Sequence, residues 1–318
     1  MKDTNSLAGE MEYAGCNVYL WADDEQGRFF SQGLVPFLEE AIPEFGVKRF
    51  WFDRFDARGP HAFALFGVRP SRRAELEDRL GSFLAGYLAE LPASEPPLSD
   101  EVVRRRHDEC RGKTMCAADR EEGIAPPYTH RVFSHPPDGY PFWLTQGLAG
   151  EGVVWTLLTD LARWSLSRWG EDGKRPSVAA IRWFAQWDRA LASALPSVEE
   201  QWRYHATTLI MGLEDRLREE EVLVLEGLPR WSGANREVFE RLWKEEAWGE
   251  DRWPHFESLV RAILGPSGEL DRRGKKLLRE IAHGVLKQLG LGVAQHVPLV
   301  FFAWNRAVEA LSLHPVEG

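Results

Sequence analysis

The sequence predicts an α+β fold, with a small, mostly antiparallel sheet at the N-terminus and a large helical remainder. Three observations carry this expectation. Runs of aromatic and β-branched residues crowd the chain before residue 70 and thin out after it. Ala57-Arg58-Gly59-Pro60 separates two of those runs with residues that favour turns. From residue 148 onward apolar residues recur at helical spacing, with only short breaks.

Taken in order, residues 1–14 read as a loose tail and Asn17 to Trp21 as a strand. Phe30, Leu34, Phe37 and Leu38 then fall on one face of a helix over 26–41. Residues 47–55 and 61–68 form two strands of a hairpin, and Pro70 opens a helix to about Leu91. Residues 15–95 are thus expected to make a β-α-β-β-α unit. A Pro/Ser linker and a short charged helix, Asp100 to Glu109, lead into the irregular stretch 110–147. A loop that long is usually functional or disordered, and Tyr128, His130, His135, Tyr140, Phe142 and Trp143 make this one too aromatic for a disordered linker. Residues 148–318 are read as the helical part of the same domain. Stripes include Val154, Leu157, Leu158, Leu161 and Trp164, then Ile181, Phe184, Trp187 and Leu191. Ser197 to Glu200 is a capping box. Residues 221–225 fit either a strand or a helix end. Further helices are expected at 234–247, 251–264, 269–289 and 293–311, with Pro298 early in the last or kinking it.

Composition excludes several classes. The chain has 318 residues, and its 39 Lys+Arg stand against 49 Asp+Glu. That acidic balance argues against a nucleic-acid-coating protein. Three cysteines, with no zinc-ligand spacing, fit a reducing cytoplasm rather than a disulfide scaffold. No apolar run is long enough to span a membrane, and no secretory signal is evident. The 14 Trp are unusual. They serve either helix packing or a groove for a large, flat ligand. There is no phosphate-binding Gly-rich loop, no dinucleotide fingerprint, no Gly-x-Ser-x-Gly elbow and no His-Glu-x-x-His, so no metal is expected.

The run from Arg49 to Phe66, RFWFDRFDARGPHAFALF, resembles the hairpin near the start of the C-terminal elimination domain of class I lantibiotic dehydratases. The same domain occurs alone as the thiopeptide-type bacteriocin biosynthesis family. A second stretch, Leu277 to Leu291 with His283 inside it, is similar to that family's late helix, where a His precedes an Asn-Arg-Leu-Gly turn. The resemblance covers about residues 15–312 and implies the elimination-domain fold.

The departures are informative. The family's arginines after Gly-Pro-His fall on Phe63 and Leu65, and the Arg of the late turn falls on Gln288. In the dehydratases such cations help to hold a glutamylated Ser or Thr, for which Arg is the natural bidentate partner. Their loss looks like the branch of pyridine synthases. These join two dehydroalanines of an azole-bearing precursor peptide in a formal aza-[4+2] cycloaddition, with loss of water and leader peptide. The resemblance implies no cofactor. It implies a leader-bearing, modified precursor peptide as partner, and neither nucleic acid nor membrane; a homodimer is left open. The alternatives are a stand-alone glutamate-elimination component of a split dehydratase and a non-catalytic precursor-binding scaffold. A peptide aminoacyl-tRNA ligase is disfavoured by the short, acidic chain.

The candidate catalytic residues are His283, His61, Tyr140 and Tyr128. The last two would be hydrogen-bond donors capping a groove from the long loop. Each histidine has a structural alternative: a hydrogen-bonded core position for His283, and stabilisation of the Gly-Pro turn for His61. Arg54, Trp51, Phe63, Trp143 and His296 are candidate substrate contacts, with an ion pair as the alternative for Arg54 and core packing for the aromatics. Arg104, Arg105, Arg106, Arg111 and Lys113 form the dense basic stretch on which an acidic leader would dock. Reversing the charge of Arg105 and Arg106 together is expected to abolish leader affinity in fluorescence anisotropy. Unchanged affinity removes these residues from the leader site.

Overall fold

The computed structural model describes residues 11–56, 58–91, 98–110, 123–134, 145, 148, 150–170, 172–195, 197–214, 219–244, 252–264, 271–291 and 293–313. The chain divides into two compact units, Met1–Arg175 and Pro176–Gly318. The stretch expected as one helical part, 148–318, is therefore shared between them.

The first unit is built on a four-stranded sheet. Its strands are β1 (Glu12–Tyr19), β2 (Arg49–Phe55), β3 (His61–Val68) and β4 (Thr129–Phe133), in the order β2-β3-β1-β4. Every neighbouring pair is antiparallel. The fold class expected from the sequence holds. Two details differ. β1 starts at Glu12, inside the stretch read as a tail, and pairs Glu12 with Val68. β4 comes from the stretch read as irregular; it completes the sheet by pairing Gly15 with Phe133 and Tyr19 with Thr129.

The hairpin's alternation gives the sheet two apolar faces. Phe50, Phe52 and Phe66 lie on one, and Trp51, Phe63 and Leu65 on the other. The first packs under helices. The aromatic rings of Phe30 and Phe52 are 5.1 Å apart, and those of Phe37 and Phe66 5.7 Å. These helices are α1 (Asp23–Arg28) and α2 (Val35–Phe45), joined by a π-helical turn over Phe29–Leu34. The expected single helix is thus interrupted, yet Phe30, Leu34, Phe37 and Leu38 are all buried as its spacing requires. Helix α3 (Pro70–Glu90) packs on β1 and β4, α4 (Asp100–Cys110) follows it, and α5 (Glu151–Ser167) runs beside β2. The Phe50 N–H donates to Thr159 Oγ1 of α5 at 3.0 Å, so part of the β2 edge is satisfied by a helix.

The second unit holds six helices among the described residues: α6 (Ser177–Ala194), α7 (Val198–Glu214), α8 (Glu219–Lys244), α9 (Phe256–Leu264), α10 (Arg272–Gln288) and α11 (Val293–Leu313). Residues 221–225 belong to α8, which settles the choice left by the sequence. Pro298 lies inside α11, early in the helix. Helix α7 lies along α11, and α6 touches α7, α8, α9, α10 and α11. The core here is aromatic: Trp183 and Trp187 stack at 5.4 Å, and Phe256 packs against both. Trp21, Trp51, Trp155, Trp169, Trp183, Trp187 and Trp253 are all buried, so packing accounts for much of the Trp content. No helix among the described residues is long and apolar enough to cross a membrane.

Gly15 is required by the sheet. A Cβ there would sit 2.4 Å from the Phe133 ring and 3.0 Å from Leu65. Gly15→Val is therefore expected to cost roughly 1–3 kcal/mol in urea unfolding, the usual range for overpacking. Adding Phe133→Ala should recover part of that loss. No loss in the single variant would mean that β4 does not pair as described.

Candidate functional site

In the first unit the hairpin gathers several of the expected residues. The antiparallel register puts Trp51 opposite Leu65, Asp53 opposite Phe63 and Phe55 opposite His61. Alternation then places Trp51, Asp53, Phe55, His61, Phe63 and Leu65 on one face, with Asn17 opposite Phe63 on β1. Trp51, Phe63 and Leu65 are almost wholly buried. Phe63 stacks on Phe133 at 5.9 Å and meets Phe55 edge-on at 5.6 Å. Asp53 is 0% exposed and accepts from the Arg54 N–H at 2.6 Å.

His61 is 4% exposed, and its Nδ1 lies 2.8 Å from the Gly59 carbonyl. A carbonyl only accepts, so Nδ1 carries a proton. This contact ties His61 to the turn. Arg58 and Gly59 of that turn both have positive φ, at 62° and 114°. Arg54 donates from Nε to Gln26 Oε1 at 2.8 Å and forms an ion pair with Asp23, which also meets Arg175. Burial pulls the Arg54 guanidinium below its ordinary pKa, and the Asp56 and Asp53 carboxylates work against that shift. Tyr128, at φ 57°, donates from its hydroxyl to Glu25 Oε1 at 2.9 Å. Glu25 is 8% exposed and was not singled out by the sequence.

Arg104, Arg105 and Arg106 lie on α4. Arg104 and Arg105 are exposed, whereas Arg106 turns back to Asp56 at 3.4 Å. The next residue, His107, accepts the Arg58 N–H at Nδ1 at 2.9 Å and so fixes the helix to the hairpin turn. Tyr140, Trp143, Arg111 and Lys113 lie outside the described residues.

In the second unit His283 and His296 meet. Helix α10 starts on Asp271, whose side chain accepts from the Gly274 N–H at 2.6 Å. It ends at Gly290, φ 86°, where the Leu291 N–H reaches the Leu286 carbonyl and the Gly290 N–H the Lys287 carbonyl. That paired closure is a Schellman motif, and it needs the glycine. The chain reverses there, and α11 brings His296 Nε2 to 3.1 Å from His283 Nδ1. His296 is 2% exposed, and its Nδ1 has no partner. If His296 Nε2 donates, the orphan Nδ1 is an acceptor. The reverse direction would orphan a buried N–H, a rarer and costlier defect. His283 therefore carries its proton on Nε2. Burial, Arg279 and Lys287 push the His283 pKa down to about 4. Burial, His283 and Lys287 hold His296 well below the usual imidazole range. Both rings are neutral at pH 7.

Beyond His283 lies a group that the sequence did not indicate. Asp188 of α6, 5% exposed, takes His205 Nε2 of α7 on Oδ1 at 2.9 Å and Trp243 Nε1 of α8 on Oδ2 at 2.6 Å. Burial pushes the Asp188 pKa up. His205, Arg306 and Trp243 together more than offset this, and the carboxyl sits below its ordinary value. The available signal was a charge at a stripe position: Asp188 follows Phe184 and precedes Leu191 at helical spacing. Among the described residues no three His, Cys, Asp or Glu side chains are placed to hold a metal ion.

The His283 shift has a testable sign. The folded pKa lies below the unfolded value of about 6.5, so the unfolded chain binds more protons between the two. This contribution is full above about pH 6.5 and is lost as pH falls towards about 4, by roughly 3 kcal/mol in all. Urea unfolding between about pH 7 and about pH 4.5 is expected to show a smaller stability loss for His283→Gln than for the wild type. Equal slopes would mean that His283 is not buried neutral.

No family model matches this chain, and no curated protein sequence matches it. Solved structures do. Pyridine synthase TbtD, from thiomuracin biosynthesis, is 18% identical, with a TM-score of 0.61 over 95% of this chain and 99% of that one. TsrL is 17% identical, with a TM-score of 0.54 over 95% of each chain. The tRNA-dependent lantibiotic dehydratase MibB from Microbispora sp. 107891 is 16% identical, with a TM-score of 0.49 over 97% of this chain and 29% of that protein. At these identities the likeness is one of fold: along nearly its whole length the chain has the fold of the pyridine synthase TbtD.

Proposed function

We propose that the chain is a thiopeptide pyridine synthase acting in the cytoplasm. It would close two dehydroalanines of an azole-modified precursor peptide by a formal aza-[4+2] cycloaddition, then expel water and the leader to leave a pyridine-containing macrocycle. The observation that carries the reading is the hairpin face. Phe63 and Leu65 stand where the resemblance places arginines, and they lie side by side with Trp51 on one buried surface. A glutamyl carboxylate finds no bidentate cation at those two positions. The apolar, aromatic character of this face is the kind a flat azole peptide would need. The fold likeness to TbtD, named as a pyridine synthase, supports the same reading.

The chemistry asks for three things. Two alkenes must be held in register, and such orientation is worth up to roughly 7–11 kcal/mol. The amide between the reacting units must pass to its iminol, which needs a donor and an acceptor. Loss of water and of the leader amide needs proton transfer. His283 and His61 are the groups we assign to these proton contacts, with Tyr128 and Tyr140 as donors and Trp51, Phe63, Trp143, Arg54 and His296 lining the substrate. The basic run Arg104, Arg105, Arg106, Arg111 and Lys113 is assigned to the leader. No cofactor enters this scheme.

Incubation of a dehydrated, azole-containing precursor with the protein alone is expected to give, by mass spectrometry, loss of water and an intact leader amide. His283→Ala should slow that release at least about 100-fold, in the usual range for an acid–base group. Reaction only of a glutamylated precursor, with loss of glutamate, would identify an eliminase instead. An unchanged peptide that co-elutes with the protein would identify a scaffold.

A further inference from the structure

A cavity of about 10 Å³ lies between the two histidine groups of the helical unit. His205, Tyr204 and Thr208 of α7 line one side; Ala282, His283 and Leu286 of α10 line another. Its volume is that of a single water, and a buried water needs two or more polar partners. The polar residues on its lining are His205, His283, Tyr204 and Thr208. His205 gives its Nε2–H to Asp188, so Nδ1 is the nitrogen left to exchange a proton. His283 meets His296 through Nδ1, so Nε2–H is its remaining donor.

We propose that this cavity binds one water and that, through it, Asp188, His205, His283 and His296 form a single proton wire. The water accepts from His283 Nε2–H and donates to His205 Nδ1. The orphan Nδ1 of His296 is the far end. A proton arriving there from a solvent or substrate acid releases Nε2–H to His283 Nδ1. His283 releases its Nε2–H to the water, and the water gives a proton to His205 Nδ1. One proton enters and one arrives, and no ring becomes an imidazolate. The final imidazolium rests against the Asp188 carboxylate, as a general base held by an acid should.

The charges around the wire favour that end. Arg279 and Lys287 flank His283 on α10 and disfavour a cation there. Arg306 of α11 faces Asp188, and Trp243 of α8 donates to it. Tyr204 of α7 stays neutral, because burial raises its hydroxyl pKa. From α6, Phe184 and Trp187 line the cavity, the indole of Trp187 lying against the Tyr204 hydroxyl, and on α9 Glu257 and Arg261 pair with each other at 3.2 Å near the surface. The wire would supply the acceptor that iminol formation needs. That use rests on the pyridine synthase reading, whereas the wire itself does not.

The test is long-range ¹H–¹⁵N NMR of the histidine-labelled full chain from about pH 8 down to about pH 5. In the wild type, His205 and His283 are expected as Nε2–H tautomers, and any change in the His205 nitrogens should be matched by movement of the His283 nitrogens. In His205→Gln that movement should vanish. Ala282→Val fills the cavity and should uncouple the rings while leaving the His205 signals visible. A His283 signal that ignores His205 in the wild type, or coupling that persists in Ala282→Val, overturns the wire. If the protein turns over the precursor, His205→Gln should lower kcat at least about 100-fold. Coupling in the spectra of a protein that turns over no peptide supports the wire and counts against the cycloaddition.

Discussion

A single buried carboxylate sets the arrangement of the helical unit. Asp188 lies where an apolar residue would ordinarily complete the α6 stripe, and removing its charge from water costs several kcal/mol. The cost is offset from three directions. His205 comes from α7, Trp243 from α8 and Arg306 from α11, so four helices converge on one group. Trp243 and Arg306 also touch each other, with the guanidinium 3.6 Å from the ring centroid. Deleting the carboxylate would leave buried donors without their acceptor, which is costlier than never having had the pair. The orientation of the His205 ring follows from this anchor, and so does the wall of the small cavity beside it.

Polarity is distributed differently in the two units. The sheet face keeps Asp53, His61 and Asn17 among large apolar rings, each polar group sitting in a register set by the hairpin. The helical unit concentrates its polarity in rings that are neutral or paired. Two of the positive charges near the expected site residues are already engaged: Arg54 by Asp23 and Gln26, and Arg306 by Trp243 and Asp188.

The hairpin was legible because local signals agreed: two aromatic runs, a Gly-Pro turn and no competing helical period. The π-helical turn was not. Its buried residues keep helical spacing, and the extra residue shows in backbone bonding such as the Val35 N–H to the Phe30 carbonyl. β4 was hidden because Thr129–Phe133 is short and framed by prolines, so its pairing with β1 is a purely long-range fact. The His283–His296 contact was half legible, as two histidines near a turn. The Asp188–His205 contact was not, since the two residues lie on separate helices and nothing in the sequence states how those helices face.

The sheet order carries a consequence for how the protein is made. β1 has β3 on one side and β4 on the other, and β4 follows β3 in the chain by some way. During synthesis β1, β3 and β2 can assemble before residues 129–133 have left the ribosome. Throughout that interval one side of β1 offers a bare ladder of amide and carbonyl groups to any neighbouring strand. Its middle residues, Gly15, Cys16 and Asn17, include two with little apolar surface, which makes that waiting edge a poor template for aggregation. Slow translation through residues 69–128 would lengthen the exposure, so the yield of folded protein should depend on the codons there as well as on the amino acids.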